Sequence, residues 1–157
     1  MSDAPAPISL DELKSRIGGE PIHSDWFELT QDRIDKFADV TEDWQFIHVD
    51  QEKAKMTPFG GTIAHGYLTV SMLSAMSYSC VPSVEGAAMV VNYGFNKLRF
   101  TNPVKAGGKV RARFVVKGVD EKGPGQILTT YDVTVEIEGE DRPALMAEWL
   151  GLTFLKG

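Results

Sequence analysis

Two side chains capable of acid–base chemistry stand close together in the run Asp43-Trp-Gln-Phe-Ile-His48. On one continuous helix they would point about 140° apart, because each residue turns the chain by about 100°. They converge only if the residues between them form a loop. The bulky stretch Trp44-Gln45-Phe46-Ile47 is expected to anchor such a loop by burial. A carboxylate and an imidazole aimed at one small site can hold a water and take its proton. Each residue also has an ordinary reading. An aspartate after a helix is often a turn or cap residue, and a histidine in an apolar run is often a satisfied core side chain. Spacing leaves both readings open.

Asp50 and His65 widen the set to four groups that could ligate a metal. Their spacing matches no metal motif and the one cysteine, Cys80, lies elsewhere, so no metal is expected. Gly60-Gly61 and His65-Gly66 precede a long uncharged segment. Glycines there permit a turn and close packing. They could also leave free helix-terminal N–H groups pointing at a ligand oxygen. Gly66 would let a carbonyl approach its own N–H. Ser71 and Ser74 lie further along, as helix packers or, for Ser74, as a hydroxyl offered to the site.

Elements must place these groups. The 157 residues, 43% hydrophobic and 24% charged, are enough for one domain, 1–157, with a substantial core. Net charge is −6, so a nucleic-acid footprint is not expected, although a local basic patch could still meet phosphates. The single cysteine rules out an intrachain disulfide and fits a reducing, cytoplasmic setting. The first residues, MSDAPAPISL, show no signal-peptide pattern. Between Thr57 and Val84 there is no Asp, Glu, Lys or Arg, yet prolines, glycines and serines interrupt the run. That excludes a membrane span and favours a helix buried on every side within the domain.

Residues 1–9 read as a loose arm, Asp11 to Ile17 as a short helix and Ile22 to Leu29 as a strand. Thr30 is placed to cap a helix over Gln31 to Thr41. Asp50 is placed to cap another, over Gln51 to Met56. The uncharged helix is expected over Ala64 to Ser79, about four turns, ended by Pro82. The period then becomes two, giving strands over Ala88 to Thr101 (bent at Gly94), Lys109 to Val119, Gln126 to Glu138 and Ala144 to Leu155. Helices followed by an antiparallel meander make an α+β pattern. A curved sheet around the helix would bury it, and the sheet's mixed outer face leaves room for a second copy.

Together these residues resemble a known family. Asp43-Trp-Gln-Phe-Ile-His48 with Val49-Asp50 and Ala54 is similar to the signature of MaoC-like (R)-specific enoyl-CoA hydratases. Phe59-Gly-Gly-Thr-Ile-Ala-His-Gly66 and Asn92-Tyr-Gly-Phe-Asn-Lys-Leu-Arg-Phe100 most resemble the subgroup named after nodulation protein N. The resemblance runs from about Asp11 to Leu155. It implies a hot-dog fold, a homodimer with its active site near the subunit interface, and no cofactor. It implies reversible syn hydration of a trans-2-enoyl thioester, carried by coenzyme A or an acyl carrier protein. Asp43 and His48 fall on the family's catalytic pair, Gly66 on the N–H that polarises the thioester carbonyl and Ser74 on a supporting hydroxyl. Gln45-Phe46 departs from the Asn-Pro of many relatives. Lys97, Arg99, Arg111 and Arg113 are candidates for meeting carrier phosphates, with a solvated sheet face as the ordinary alternative. A hot-dog thioesterase and a non-catalytic acyl-thioester binding protein remain as alternatives.

Overall fold

The computed structural model describes all 157 residues. In chain order the elements are α1 (Leu10–Ser15), β1 (Ile22–His23), β2 (Phe27–Leu29), α2 (Gln31–Thr41), α3 (Phe46–Val49), α4 (Gln51–Ala54), α5 (Gly66–Ser71), α6 (Leu73–Tyr78), β3 (Ala87–Phe100), β4 (Gly108–Gly123), β5 (Gln126–Ile137) and β6 (Leu145–Leu155). The strands form one antiparallel sheet in the order β1-β4-β5-β6-β3, with β2 also on β4. Where alternation is strict, the strands follow it. Val110, Ala112, Phe114 and Val116 are all buried on one face of β4. Val133, Val135 and Ile137 continue that face on β5. This concave face packs on Leu68, Leu73 and Met76 of α5 and α6, with Leu145, Ala147 and Trp149 of β6 in the same core. A sheet wrapped on a central helix is the expected hot-dog arrangement.

Four details depart from expectation. The first strand is split. Ser24 accepts the Ala112 N–H on its hydroxyl while giving its own N–H to the Ala112 carbonyl, and the chain swings out at Asp25-Trp26 before β2 rejoins β4. The residues before α1 are not a loose arm throughout. Ile8 is buried, bridges to Val84 and packs with Leu13, Val116 and Ile127, and Ser2 bonds the Asp25 carboxylate through N–H and hydroxyl.

The central helix is interrupted at Met72 and starts at Gly66, not Ala64. The Ser71 hydroxyl donates to the Tyr67 carbonyl at 2.6 Å, and the Met72 N–H is shared between the Leu68 and Thr69 carbonyls. Such back-bonding bends helices. Ala64 stays extended because its N–H goes to the Val104 carbonyl. Nor is the helix buried all round: Tyr67, Ser71 and Tyr78 form an exposed stripe at i, i+4 and i+11. No helix is long and apolar enough to cross a membrane.

The predicted bend at Gly94 is a register shift between Asn92 and Gly94. Strand β3 is paired on one side only, by β6. Along it Met89, Val90, Val91, Tyr93, Phe95 and Phe100 are all exposed.

Candidate active site

The loop carrying Asp43 begins where α2 stops. Thr30 caps α2 as expected, accepting the Arg33 N–H at 3.1 Å. At the other end Glu42 takes a left-handed conformation, φ 61°, and turns the chain back. Asp43, Trp44 and Gln45 then run outside any helix, and the single turn α3 carries His48 inward to 6% exposure. The expected convergence of Asp43 and His48 is met. The expected anchor is not. Trp44 is 54% and Phe46 42% exposed. Trp44 lies outside and donates its indole N–H to Asp39. Hydrogen bonds hold the loop instead. The His48 N–H goes to the Gln45 carbonyl, the Ile63 N–H to the Ile47 carbonyl, and the Gln31 side chain to the His48 carbonyl. Gln45-Phe46 thus supplies the turn through carbonyls, which need no particular side chain.

His48 Nδ1 lies 2.8 Å from the Ile63 carbonyl. A carbonyl only accepts, so the proton sits on Nδ1 and the Nε2 lone pair is left for chemistry. Burial holds the His48 pKa below its ordinary 6.5 as the leading effect. The Ile63 carbonyl opposes that, neighbouring His65 adds to it and Asp43 opposes it again. The Asp43 carboxylate accepts the Gln45 N–H at 3.3 Å and remains free on its other side.

His65 completes the cluster. Its ring stacks on His48 with centroids 3.9 Å apart and planes 25° apart, and its Nε2–H donates to the Asp43 carbonyl at 2.9 Å. One donor atom from each of Asp43, His48 and His65 lies within 4.8 Å of the others. In-plane lone pairs on two nearly parallel rings run side by side instead of meeting at a point, so the geometry suits proton handling better than chelation. Asp50 is outside this set: it caps α4 by accepting the Lys53 N–H.

Asp43, His48, His65 and Gly66 line one cavity of about 480 Å³, closed by Phe59, Tyr67 and the segment from Phe100 to Val104. As the first residue of α5, Gly66 has no acceptor within the helix for its N–H. A Cβ on Gly66 would come within 2.9 Å of the Phe100 ring, so this position accommodates only glycine unless Phe100 moves. Ser74 is not brought to this cavity. It lines a separate one of about 280 Å³, with Tyr78, Asn92, Tyr131 and Trp149. It stands eight positions after Gly66 along α5 and α6, a rise of about 12 Å.

None of Lys97, Arg99, Arg111 and Arg113 lines the Asp43 cavity. Lys97 pairs with Glu148. Arg111 bonds Glu136 and lies over the Trp26 ring. The lysines nearer the site are Lys55 and Lys105, which line a depression with Gly60, Gly61 and Phe59, the last shared with the Asp43 cavity. Lys55 is paired with Glu52, whereas Lys105 has no carboxylate partner. Sequence spacing carried no signal for Lys105 or for Phe100, both far along the chain from His48. His65 was visible beside Gly66, but nothing in the sequence reveals that it stacks on His48.

The sequence matches the family described as MaoC like domain over residues 12–138. It is 51% identical to nodulation protein N of Rhizobium leguminosarum bv. viciae, over 91% of this chain and 89% of that one. It is 42% identical to 3-hydroxyacyl-thioester dehydratase Z of Mycobacterium tuberculosis, over 89% of this chain and 92% of that one. The solved MaoC-like dehydratase of Rhodospirillum rubrum superposes with a TM-score of 0.73 over 96% of this chain and 99% of that one; at 21% identity, this likeness concerns the fold. With its loop, its helix start and its meander in this order, the chain belongs to the MaoC-like dehydratase family.

Proposed function

We propose that the protein is a hydro-lyase acting on acyl thioesters: it adds water reversibly to a trans-2-enoyl thioester, giving the (R)-3-hydroxyacyl thioester. Relatives at 42% and 35% identity carry the names 3-hydroxyacyl-thioester dehydratase and (R)-specific enoyl-CoA hydratase. The observation that carries the assignment of residues is the convergence of Asp43, the Nε2 face of His48 and the head of α5 on one cavity.

The chemistry follows from those groups. The β-carbon of an enoyl thioester accepts a nucleophile only as its carbonyl oxygen takes up negative charge. The Gly66 N–H stabilises that oxygen. His48 Nε2 removes a proton from a water that the Asp43 carboxylate orients, and the water oxygen bonds to the β-carbon. A proton then returns to the α-carbon from the same side, which gives syn addition. General acid–base catalysis of this kind contributes about 10²–10⁴-fold. Ser74 acts, in this reading, from the neighbouring cavity along the helix and not in contact with the pair. Carrier phosphates meet Lys105 at the adjoining depression. No cofactor takes part, because the reaction moves protons and water only.

The working unit is a homodimer of one-domain chains in the cytoplasm. Support comes from the unpaired edge of β3, its exposed apolar side chains and the uncharged stripe of Tyr67, Ser71 and Tyr78.

Incubation with crotonyl-CoA tests the activity. Loss of the conjugated-enoyl absorbance without thiol release is expected. Thiol release without hydration would select a thioesterase, and binding with neither signal a non-catalytic carrier.

A further inference from the structure

We propose that His65 is a positioning residue for the acid–base pair: its Nε2–H tethers the Asp43 backbone while its ring face supports the His48 ring, so one side chain sets where both groups point. The proposal rests on the hydration reading only for its kinetic test.

Three observations carry it. First, His65 is 2% exposed and in contact with two rings, stacked on His48 at 3.9 Å and tilted against Phe37 at 4.9 Å. Rotation of the His48 imidazole away from its Ile63 bond would drive it into the His65 face. Secondly, His65 occupies the N-cap of α5 but makes no side-chain cap bond there. N-caps favour Ser, Thr, Asp and Asn because those side chains reach the helix N–H groups. This imidazole turns instead to the Asp43 carbonyl. Thirdly, its Nδ1 is buried with no partner in the chain. Buried polar atoms without partners destabilise a fold, so an apolar ring would serve packing better. The unpartnered nitrogen accompanies a side chain kept for its Nε2–H. Two stacked imidazoles are thereby held in opposite tautomers, His48 with its proton on Nδ1 and His65 on Nε2.

The test combines spectra and kinetics on the full chain. With ¹⁵N-labelled histidine there are three rings to assign, and ring-nitrogen shifts distinguish the tautomers. The expected spectrum has His48 protonated on Nδ1 and His65 on Nε2; a His65 protonated on Nδ1 overturns the proposal. His65→Phe keeps a ring face and loses the tether. It should lower kcat on crotonyl-CoA about 10- to 100-fold with KM little changed, since a displacement of about 1 Å can cost on the order of 10² in rate. It should leave the His48 proton on Nδ1, because the Ile63 bond and a ring face remain, and should shift the resonance of the Asp43 carbonyl carbon, which loses its donor. His65→Gln, which places an amide N–H near the Nε2 position but lacks the ring face, should recover part of kcat. Full kcat in His65→Phe overturns the proposal. So does equal slowing in both variants with a parallel fall in Tm, the mark of a packing role. If the wild type hydrates nothing, the His65 tautomer and the response of the Asp43 carbonyl carbon to His65→Phe still decide the positioning role separately.

Discussion

In the proposed mechanism, the residue that sets the pH dependence is His48. Its lone pair is available only while Nε2 is unprotonated, and burial disfavours the charged ring. The acid limb of kcat/KM for hydration should therefore have its midpoint below the ordinary 6.5 of a free imidazole. Rate should hold above that midpoint and fall as pH drops through it; a midpoint at or above 6.5 would contradict the assignment. Stability follows the same sign. The unfolded chain takes up the proton more readily, so the His48 contribution is intact above 6.5 and declines as pH falls toward the folded value. Asp43→Asn and His48→Gln should each fold, shown by unchanged circular dichroism. Each should lose about 10²–10⁴-fold in hydration rate, the usual scale of acid–base catalysis. Near wild-type turnover in either would sink the mechanism.

At the scale of elements, the site is assembled from pieces that share no local signal. The left-handed Glu42 ends α2 and aims Asp43, α3 turns His48 inward, and the extended Ile63 and Ala64 deliver both an acceptor for His48 and the head of α5. The depression between the Gly60-Gly61 turn and Lys105 adjoins the same cavity. Lys105 has no carboxylate partner, so its charge is available to a phosphate. Lys105→Glu should raise KM for crotonyl-CoA by about tenfold, equivalent to about 1.4 kcal/mol. A crotonyl thioester of N-acetylcysteamine, which has no phosphate, should be unaffected. An equal change for both substrates would place the effect elsewhere.

At the scale of the molecule, the exposed surface of β3 is what supports the proposed dimer. An edge strand of 14 residues whose outer side is unpaired and carries exposed apolar side chains is a template for another chain. The Tyr67-Tyr78 stripe of the helix has no charge to keep it in water. Tyr93, 61% exposed on β3, would be covered by a second copy across this edge. Tyr93→Lys should halve the mass measured by light scattering. A wild type that is monomeric at micromolar concentration would remove the dimer from the proposal.

Much of this was legible in the amino-acid order. Helix α2 runs over the predicted residues because Thr30 caps it and Ile34 and Ala38 recur at helical spacing toward the core. Strands β4 and β5 follow because a period of two puts Phe114 and Val133 on one face whatever the neighbours are. The Asp43–His48 pair was visible as residue types, and the likeness to a family pointed to its role. Tertiary structure alone decided the rest. Burial of the Trp44 region failed as an anchor because hydrogen bonds to Ile63 and Gln31, far along the chain, already hold the loop. The central helix broke where the Ser71 hydroxyl competes for a carbonyl. Ser74 fell outside the cavity because helical rise carries it away, and the arginines of β4 alternate with buried Val110, Ala112 and Phe114 and so lie on the other face of the strand. Local periodicity records which face a residue must hide. It does not record which distant groups will meet there, and tautomers, stacking and cavities depend on those meetings.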